Sequence, residues 1–339
     1  MNKQSICIIG AGSMGVTTGY FLQKAGAEIT FLVLPNNKDK LLQPQKLYCY
    51  DDQKLKTFTD YKIITNPSMI SDQSHDFIII TLDSASLQSE EGLNLVDELG
   101  RKLKDTDTNI IIGSVGIEVR QWFIERSGID GSRVINGTLP TSVYEVQKVN
   151  LPLYDVVNTE LLSQADYGYR HPFEYGFTID TSSEAVAKEF ASIFDRNGTS
   201  ICQVLSEADF KLQFSIFPQM MTWGLLNWNN PDNINANSEI WNLGTEATKE
   251  FQRLSIFGEK GLEASRRTDA KGTLEMFQNL AKLSLPLDFS AFNAYHHGGK
   301  VINQDLKLLD KALEIGKNDG LEMPALTELI YKLKSEKQF

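Results

Sequence analysis

The feature that most restricts the fold is a glycine run near the N-terminus, Gly10-Ala11-Gly12-Ser13-Met14-Gly15. It follows the apolar run Ile6-Cys7-Ile8-Ile9, which predicts a buried strand, and opens a helical pattern over Ser13–Ala25 that stops at Gly26. A second strand is expected to start near Glu28. Each glycine has a physical task in such a unit. Gly10 permits the tight turn, Gly12 lets the backbone approach a ligand, and Gly15 lets the helix pack closely on the strand. The helix end then offers free N–H groups and a partial positive charge to an anion.

Strand, G-x-G-x-x-G turn, helix and strand in about thirty residues is the fingerprint of a dinucleotide-binding Rossmann unit. An NAD-preferring unit carries Asp or Glu near the end of its second strand, about 20 residues past the turn. Here that stretch reads Leu34-Pro35-Asn36-Asn37-Lys38-Asp39-Lys40, with no acid at the strand end. NADP is therefore expected, with Lys38 near the 2′-phosphate; Lys38 and Lys40 read equally well as solvated loop charges.

Further β-branched runs (Ile29–Val33, Asp76–Leu82, Asn109–Gly113, Arg133–Leu139) alternate with segments of helical period. That alternation predicts a parallel sheet with helices on its faces. A last strand (Tyr175–Ile179) and helix (Ser183–Arg196) close this part. From Ser206 long helical patterns take over: Glu207–Asn227, Ser238–Arg267, Gly272–Leu283, Gln304–Asp319 and a shorter one from Pro324. The expected fold is α/β: a Rossmann-type domain over 1–203, then a mostly helical substrate or dimerisation domain over 204–339.

Composition narrows the partners. A net charge of −11 argues against nucleic acid, which needs a basic surface, but permits a small anion held locally. Three scattered cysteines, Cys7, Cys49 and Cys202, suit reduced thiols of a cytoplasmic protein. Met1-Asn2-Lys3-Gln4 has no signal-peptide layout, and no apolar run reaches the ~20 residues that span a bilayer. Long apolar helix faces in the second domain are compatible with a homodimer.

On a helical wheel, Lys211, Ser215, Gln219 and Thr222 fall in one narrow polar arc, while Phe210, Leu212, Phe214, Ile216, Phe217, Met220, Met221 and Trp223 fill the rest. Such a stripe lines a cleft or marks a thin solvent-facing edge. Pro218 should bend the helix near Phe214. An ammonium at a cleft can stabilise the negative charge that develops as hydride reaches a carbonyl, and donate the proton.

With the Gly10–Gly15 turn and the Lys211 helix in this order, the chain resembles the ketopantoate (2-dehydropantoate) reductases over nearly its whole length. The Asp76–Leu82 strand, the small-residue turn after Ile112 and the terminal stretch Asp305–Gly316, Gly320 and Pro324 follow the same order. The resemblance implies NADPH-dependent reduction of a 2-oxo acid, with Lys211 as general acid and Ser215 and Gln219 orienting the acid. It adds Leu82, Val115 and Gly116 to the cofactor-binding residues Gly10–Gly15 and Lys38. Several positions depart from the family. Ser215 and Gln219 replace asparagines, Val115-Gly116 replaces Asn-Gly, Asp83 replaces a lysine, Leu34 an arginine, and Asp305 is the nearest acid to the family's acidic position.

Tyr295-His296-His297-Gly298-Gly299-Lys300 lies just before Asp305. It reads either as a glycine-rich surface loop or as a group in which His297, Lys300 and Asp305 hold the far end of a small anionic 2-oxo acid. Adjacent histidines do not share a helix face, so a metal site is not expected. Three functions fit: a ketopantoate reductase, a dehydrogenase of another hydroxy or opine-like acid, and a non-catalytic NADP(H)-binding sensor.

Overall fold

The computed structural model describes residues 3–72 and 75–336; Met1 and Asn2, part of the stretch without a signal-peptide layout, lie outside the described residues. The chain divides into two compact units, Met1–Leu205 and Ser206–Phe339.

The first unit contains the strands β1 (Ser5–Ile9), β2 (Glu28–Leu32), β3 (Gln45–Cys49), β4 (Lys54–Phe58), β5 (Lys62–Ile64) and β6 (Phe77–Ile80). It continues with β7 (Asn109–Ile112), β8 (Val134–Thr138), β9 (Ser142–Glu145), β10 (Tyr167–Arg170), β11 (Tyr175–Asp180) and β12 (Ile201–Leu205). Its helices are α1 (Ser13–Lys24), α2 (Ser84–Leu87), α3 (Glu90–Leu103), α4 (Val119–Ser127), α5 (Thr159–Ser163) and α6 (Glu184–Phe194). Eight strands form a sheet in the order β12-β11-β8-β7-β6-β1-β2-β5. Every neighbouring pair is parallel except β8 with β11.

The sheet's central strands are apolar on both parities because both faces are covered. Ile6, Ile8, Phe77, Ile79 and Ile111 pack in one cluster with Phe21 of α1 and Phe190 of α6. Cys7, Ile9, Ile78, Ile80, Ile110 and Ile112 pack in the other with Val96 and Leu99 of α3 and Phe123 of α4. Cys7, Cys49 and Cys202 are free and buried. Burial pushes the Cys7 thiol up to about 12 and the Cys49 thiol up to about 11.

A second sheet was not anticipated from the sequence. Its order is β4-β3-β10-β9, and it lies on the α1 face: Leu47, Cys49, Val143, Tyr167 and Tyr169 share a cluster with Phe21. Its strands are short and rich in Lys and Tyr, and β4 is largely uncovered, so no apolar run announces it.

In the second unit the described residues form the helices α7 (Glu207–Leu212), α8 (Phe217–Leu225), α9 (Glu239–Gln252) and α10 (Gly258–Arg267). Then follow α11 (Ala270–Ser284), α12 (Phe289–Tyr295), α13 (Ile302–Asn318) and α14 (Pro324–Glu336). Two helices expected to be continuous are broken. Glu207–Asn227 is interrupted by a 3-10 turn over Gln213–Ile216. Pro218 has no N–H for the carbonyl of Phe214, so the bend falls where the missing bond puts it. Ser238–Arg267 is interrupted at Ser255–Phe257, where Gly258 takes a φ of +55° and Asp319 accepts the Ser255 N–H at 2.8 Å. No helix among the described residues is long and apolar enough to cross a membrane.

Trp223, Trp241, Leu274 and Phe277 form the centre of the α8, α9 and α11 packing. Both indole N–H groups are satisfied, Trp223 by the Asn229 carbonyl at 2.7 Å and Trp241 by the Ala270 carbonyl at 2.9 Å. Buried indoles bonded in this way stabilise a core without leaving a polar orphan. Trp241→Ala is expected to lower the unfolding free energy by about 3–5 kcal/mol, read by urea denaturation followed by circular dichroism. A loss inside the roughly 0.5 kcal/mol of ordinary surface sites would mean that this cluster is not the core of the unit.

Candidate functional site

The Gly10–Gly15 turn sits where β1 ends, and the sheet order places it at a topological switch point. The connection from β1 leads to β2 on one side, while β6 lies on the other. In open α/β sheets the crevice outside the strand carboxyl ends at such a point takes the ligand. The turn is held by β6's exit: Thr81 donates its backbone N–H and its hydroxyl to the Ile9 carbonyl, each at 2.9 Å. Gly10 donates to the Leu32 carbonyl at 2.9 Å, so β2 is tied in as well.

The three glycines are not equivalent. Gly10 has a φ of +98°, and a Cβ there would meet Thr81 Oγ1 at 2.9 Å. A Cβ on Gly15 would lie 2.3 Å from the Gly10 carbonyl oxygen. Gly12 is extended (φ −76°) with nothing within 4 Å of its Cβ position. The protein interior therefore requires Gly10 and Gly15, while Gly12 keeps space open on the outer side of the turn. Gly12 caps α1 without a side-chain bond, and the first turn of α1 carries no acid. This cradle fits a phosphate group: backbone, open space and an undischarged helix end meet there.

The other expected cofactor residues are placed as follows. Ala11 accepts the Tyr167 hydroxyl at 3.3 Å, and the Met14 methyl lies against Gly113. Leu82 packs on Gly10, and its carbonyl accepts the Ser114 hydroxyl at 2.6 Å. Gly116 packs closely on Val119, with half-buried Val115 before it. Lys38 stands in exposed 3-10 turns after β2. Asp83, which reverses a charge in the family pattern, caps α2 and accepts the Ser86 N–H at 2.9 Å and its hydroxyl at 2.6 Å. Thr81 and Tyr167 were missed by sequence reasoning. Thr81 stood inside a recognised strand with no polar role suggested, and Tyr167 belongs to the unrecognised sheet.

In the second unit the polar stripe of the α7–α8 segment is not a single open surface, which corrects the reading of Ser215 and Gln219 as cleft-lining residues. The 3-10 turn separates Lys211 from the rest. Lys211 is half-exposed and paired with Glu207 at 2.6 Å, one helical turn back. Ser215, Gln219 and Thr222 are buried. Ser215 accepts from Gln252 at 3.2 Å; Gln219 donates to the Trp241 carbonyl at 3.3 Å and accepts the Thr245 hydroxyl at 3.2 Å. Thr222 donates to the Pro218 carbonyl at 2.9 Å. These side chains hold the α8 segment on α9.

The stretch read as a loop at Gly298-Gly299 is a π turn, His296–Lys300, closed by the Val301 N–H on the His296 carbonyl at 2.9 Å. A Cβ on Gly298 would meet the Trp228 indole nitrogen at 2.8 Å. His297 Nδ1 lies 2.8 Å from Asp305 Oδ2 in the first turn of α13, so these two expected residues are brought together; Lys300 is exposed on the same turn. Burial, then the charges of His297 and Lys300, hold the His296 imidazole well below its usual range. No group of three or more possible metal ligands occurs among the described residues.

Residues 6–118 match the family model described as ketopantoate reductase PanE/ApbA. Among solved structures, the chain is similar to 2-dehydropantoate 2-reductase of Geobacter metallireducens GS-15 (17% identity, TM-score 0.66, 98% of this chain and 100% of that one). It is also similar to 2-dehydropantoate 2-reductase of Methylococcus capsulatus (14%, 0.65, 98% and 96%). A third similar structure is D-mandelate dehydrogenase with NADH and anilino(oxo)acetate (14%, 0.63, 98% and 99%). No curated protein matches the sequence. The family match thus covers residues 6–118, and the chain as a whole carries the ketopantoate reductase fold.

Proposed function

We propose that the protein is an NADP(H)-dependent reductase that converts a 2-oxo acid to the 2-hydroxy acid, with ketopantoate the leading substrate. The observation that carries this reading is the Gly10–Gly15 cradle at the switch point, where Gly12 leaves open space before an uncapped helix end. A nicotinamide dinucleotide bound there supplies the hydride. The α1 N-terminus would hold its pyrophosphate, with Leu82 packed against Gly10, and Val115 and Gly116 are the further residues proposed for the cofactor. Preference for the 2′-phosphate is supported by the exposed Leu34–Lys38 stretch after β2, which has no carboxylate before Asp39.

Lys211 is the cation proposed for the substrate oxygen. Its ammonium stabilises the negative charge that develops there, and Glu207 keeps the side chain along one face of α7. Lys300 is the cation proposed for the acid's carboxylate. A different acid is the second reading, favoured by Val115, which offers no hydrogen bond, and by Asp83, whose carboxylate is committed to Ser86. The similarity to D-mandelate dehydrogenase with its bound oxoacetate supports that breadth.

Four outcomes test the reading. Fluorescence titration is expected to give tighter binding of NADPH than of NADH. Gly12→Ala should weaken NADPH binding by tenfold or more, about 1.4 kcal/mol, with an unchanged melting temperature. Gly15→Ala should instead lower the melting temperature, since overpacking costs about 1–3 kcal/mol. Absorbance of the reduced nicotinamide, followed with ketopantoate and then a panel of carbonyl acids, should show turnover that Lys211→Ala slows by about 10²–10³ in kcat. Tight NADPH binding with no turnover on any acid would leave a sensor and remove the reductase.

A further inference from the structure

We propose that Tyr167 is a positioning residue for the dinucleotide: its hydroxyl turns the Ala11–Gly12 peptide so that the Gly12 N–H faces the pyrophosphate, an inference that rests on the dinucleotide-binding reading above. The hydroxyl donates to the Ala11 carbonyl at 3.3 Å. That peptide is trans, since the one cis bond among the described residues is Leu285–Pro286. In a planar trans unit the C=O and the following N–H point in opposite directions. A carbonyl drawn towards β10 therefore sends the Gly12 N–H away from the second sheet. That N–H has no backbone acceptor among the described residues, and the space at the Gly12 Cβ position is open. An N–H left free beside a helix N-terminus is the group that takes a phosphate oxygen.

The Ala11 carbonyl depends on this bond. At the start of α1 the Val16 N–H takes the Gly12 carbonyl at 2.9 Å, and no backbone N–H of the described residues reaches that of Ala11. A backbone carbonyl shielded from water needs a partner, and the tyrosine supplies it from a strand that is itself clamped. Tyr167 stands opposite Leu47 of β3 and Glu145 of β9. One residue earlier, Asp166 donates its N–H to the Lys46 carbonyl at 2.8 Å and accepts the Lys46 N–H on Oδ2 at 2.7 Å. Its own carbonyl takes the Val146 N–H at 2.9 Å. The Tyr167 side chain is buried in the cluster against which Ala11 and Met14 pack. Burial raises its hydroxyl above the ordinary range, so the proton it donates stays in place.

The neighbouring tyrosine hydroxyls are used differently. Tyr50 bonds with Tyr144 at 2.6 Å, Tyr48 with Gln53, and Tyr169 with Cys49, all within the second sheet and its hairpin. Tyr167 instead bonds to the glycine turn, so the strand that carries it has a part in aiming the cradle. The length of that bond sets the size of the effect. At 3.3 Å it is long for O–H···O, so its loss leaves the turn in place and lets one peptide rotate. A change of several-fold in affinity follows, and the hydride step itself is untouched.

The test joins titration with a spectroscopic readout. Tyr167→Phe keeps the ring and removes the hydroxyl. By fluorescence titration it is expected to raise the Kd for NADPH about three- to tenfold, the weight of one net hydrogen bond. The Kd for NADH should rise by the same factor, because the two share the pyrophosphate, while kcat at saturating NADPH stays at the wild-type value. Tyr144→Phe removes another buried hydroxyl of the same sheet without touching the turn, and should lower the melting temperature with both Kd values unchanged. In wild-type protein labelled with ¹⁵N-glycine, the Gly12 amide, identified as the signal lost in Gly12→Ala, should move downfield when NADPH is added. Unchanged affinity in folded Tyr167→Phe, unequal losses for NADPH and NADH, or a Gly12 amide that does not respond to bound NADPH would overturn the assignment and leave the reductase reading intact. A wild type that binds neither dinucleotide would remove that reading and this one with it.

Discussion

The approach of Gly15 to the Gly10 carbonyl is the constraint on which the first unit depends. That contact seats α1 directly on the end of β1, and Thr81 closes the same carbonyl region from β6. Any side chain at position 15 would have to push backbone aside, because the atom 2.3 Å from its Cβ is a carbonyl oxygen that cannot rotate away. The open cradle at Gly12 is a consequence. With the helix locked in place at Gly15, its first N–H groups are aimed outward, and Gly12 leaves them uncovered.

The second sheet shares that load. Tyr167 is bonded to Ala11, and Tyr169 packs edge-on against Phe21 of α1 at 5.8 Å. Burial raises the Tyr167 and Tyr169 hydroxyls far above their ordinary range, so both remain neutral and act as donors and packing groups. The sheet therefore fixes α1 from the side opposite the main sheet. Its cost is a set of buried hydroxyls, and the Tyr50–Tyr144 pair at 2.6 Å shows how they are satisfied among themselves.

Legibility followed burial. Strands covered on both faces, such as β1, β6 and β7, announce themselves as apolar runs, and β1 takes in the whole predicted run from Ile6 to Ile9. The sheet of β3, β4, β9 and β10 is read poorly because Lys54, Lys56 and the tyrosines mix polarity along strands of four or five residues. The glycine turn was legible because its chemistry is local. The His297–Asp305 pair was legible only as a neighbourhood: eight residues separate the two, and it takes the wide π turn to set their side chains 2.8 Å apart. The polar stripe misled for the opposite reason. A wheel reports which residues share a face, and Ser215 and Gln219 do share one, but it cannot say that α9 offers Gln252, Thr245 and the Trp241 carbonyl to that face.

Asp83 follows the same logic of local use. A lysine at that position would present a cation from the sheet's edge; here the carboxylate is turned to the N–H and hydroxyl of Ser86, at the start of α2, where a helix end favours negative charge. The charge reversal thus has a local structural use. Lys211 and Lys300, the cations proposed above for an anionic substrate, both belong to the second unit. Lys300 stands in the π turn between α12 and α13. That turn is where the sequence departs furthest from a plain helix, and where a buried carboxylate has been left with one oxygen unsatisfied.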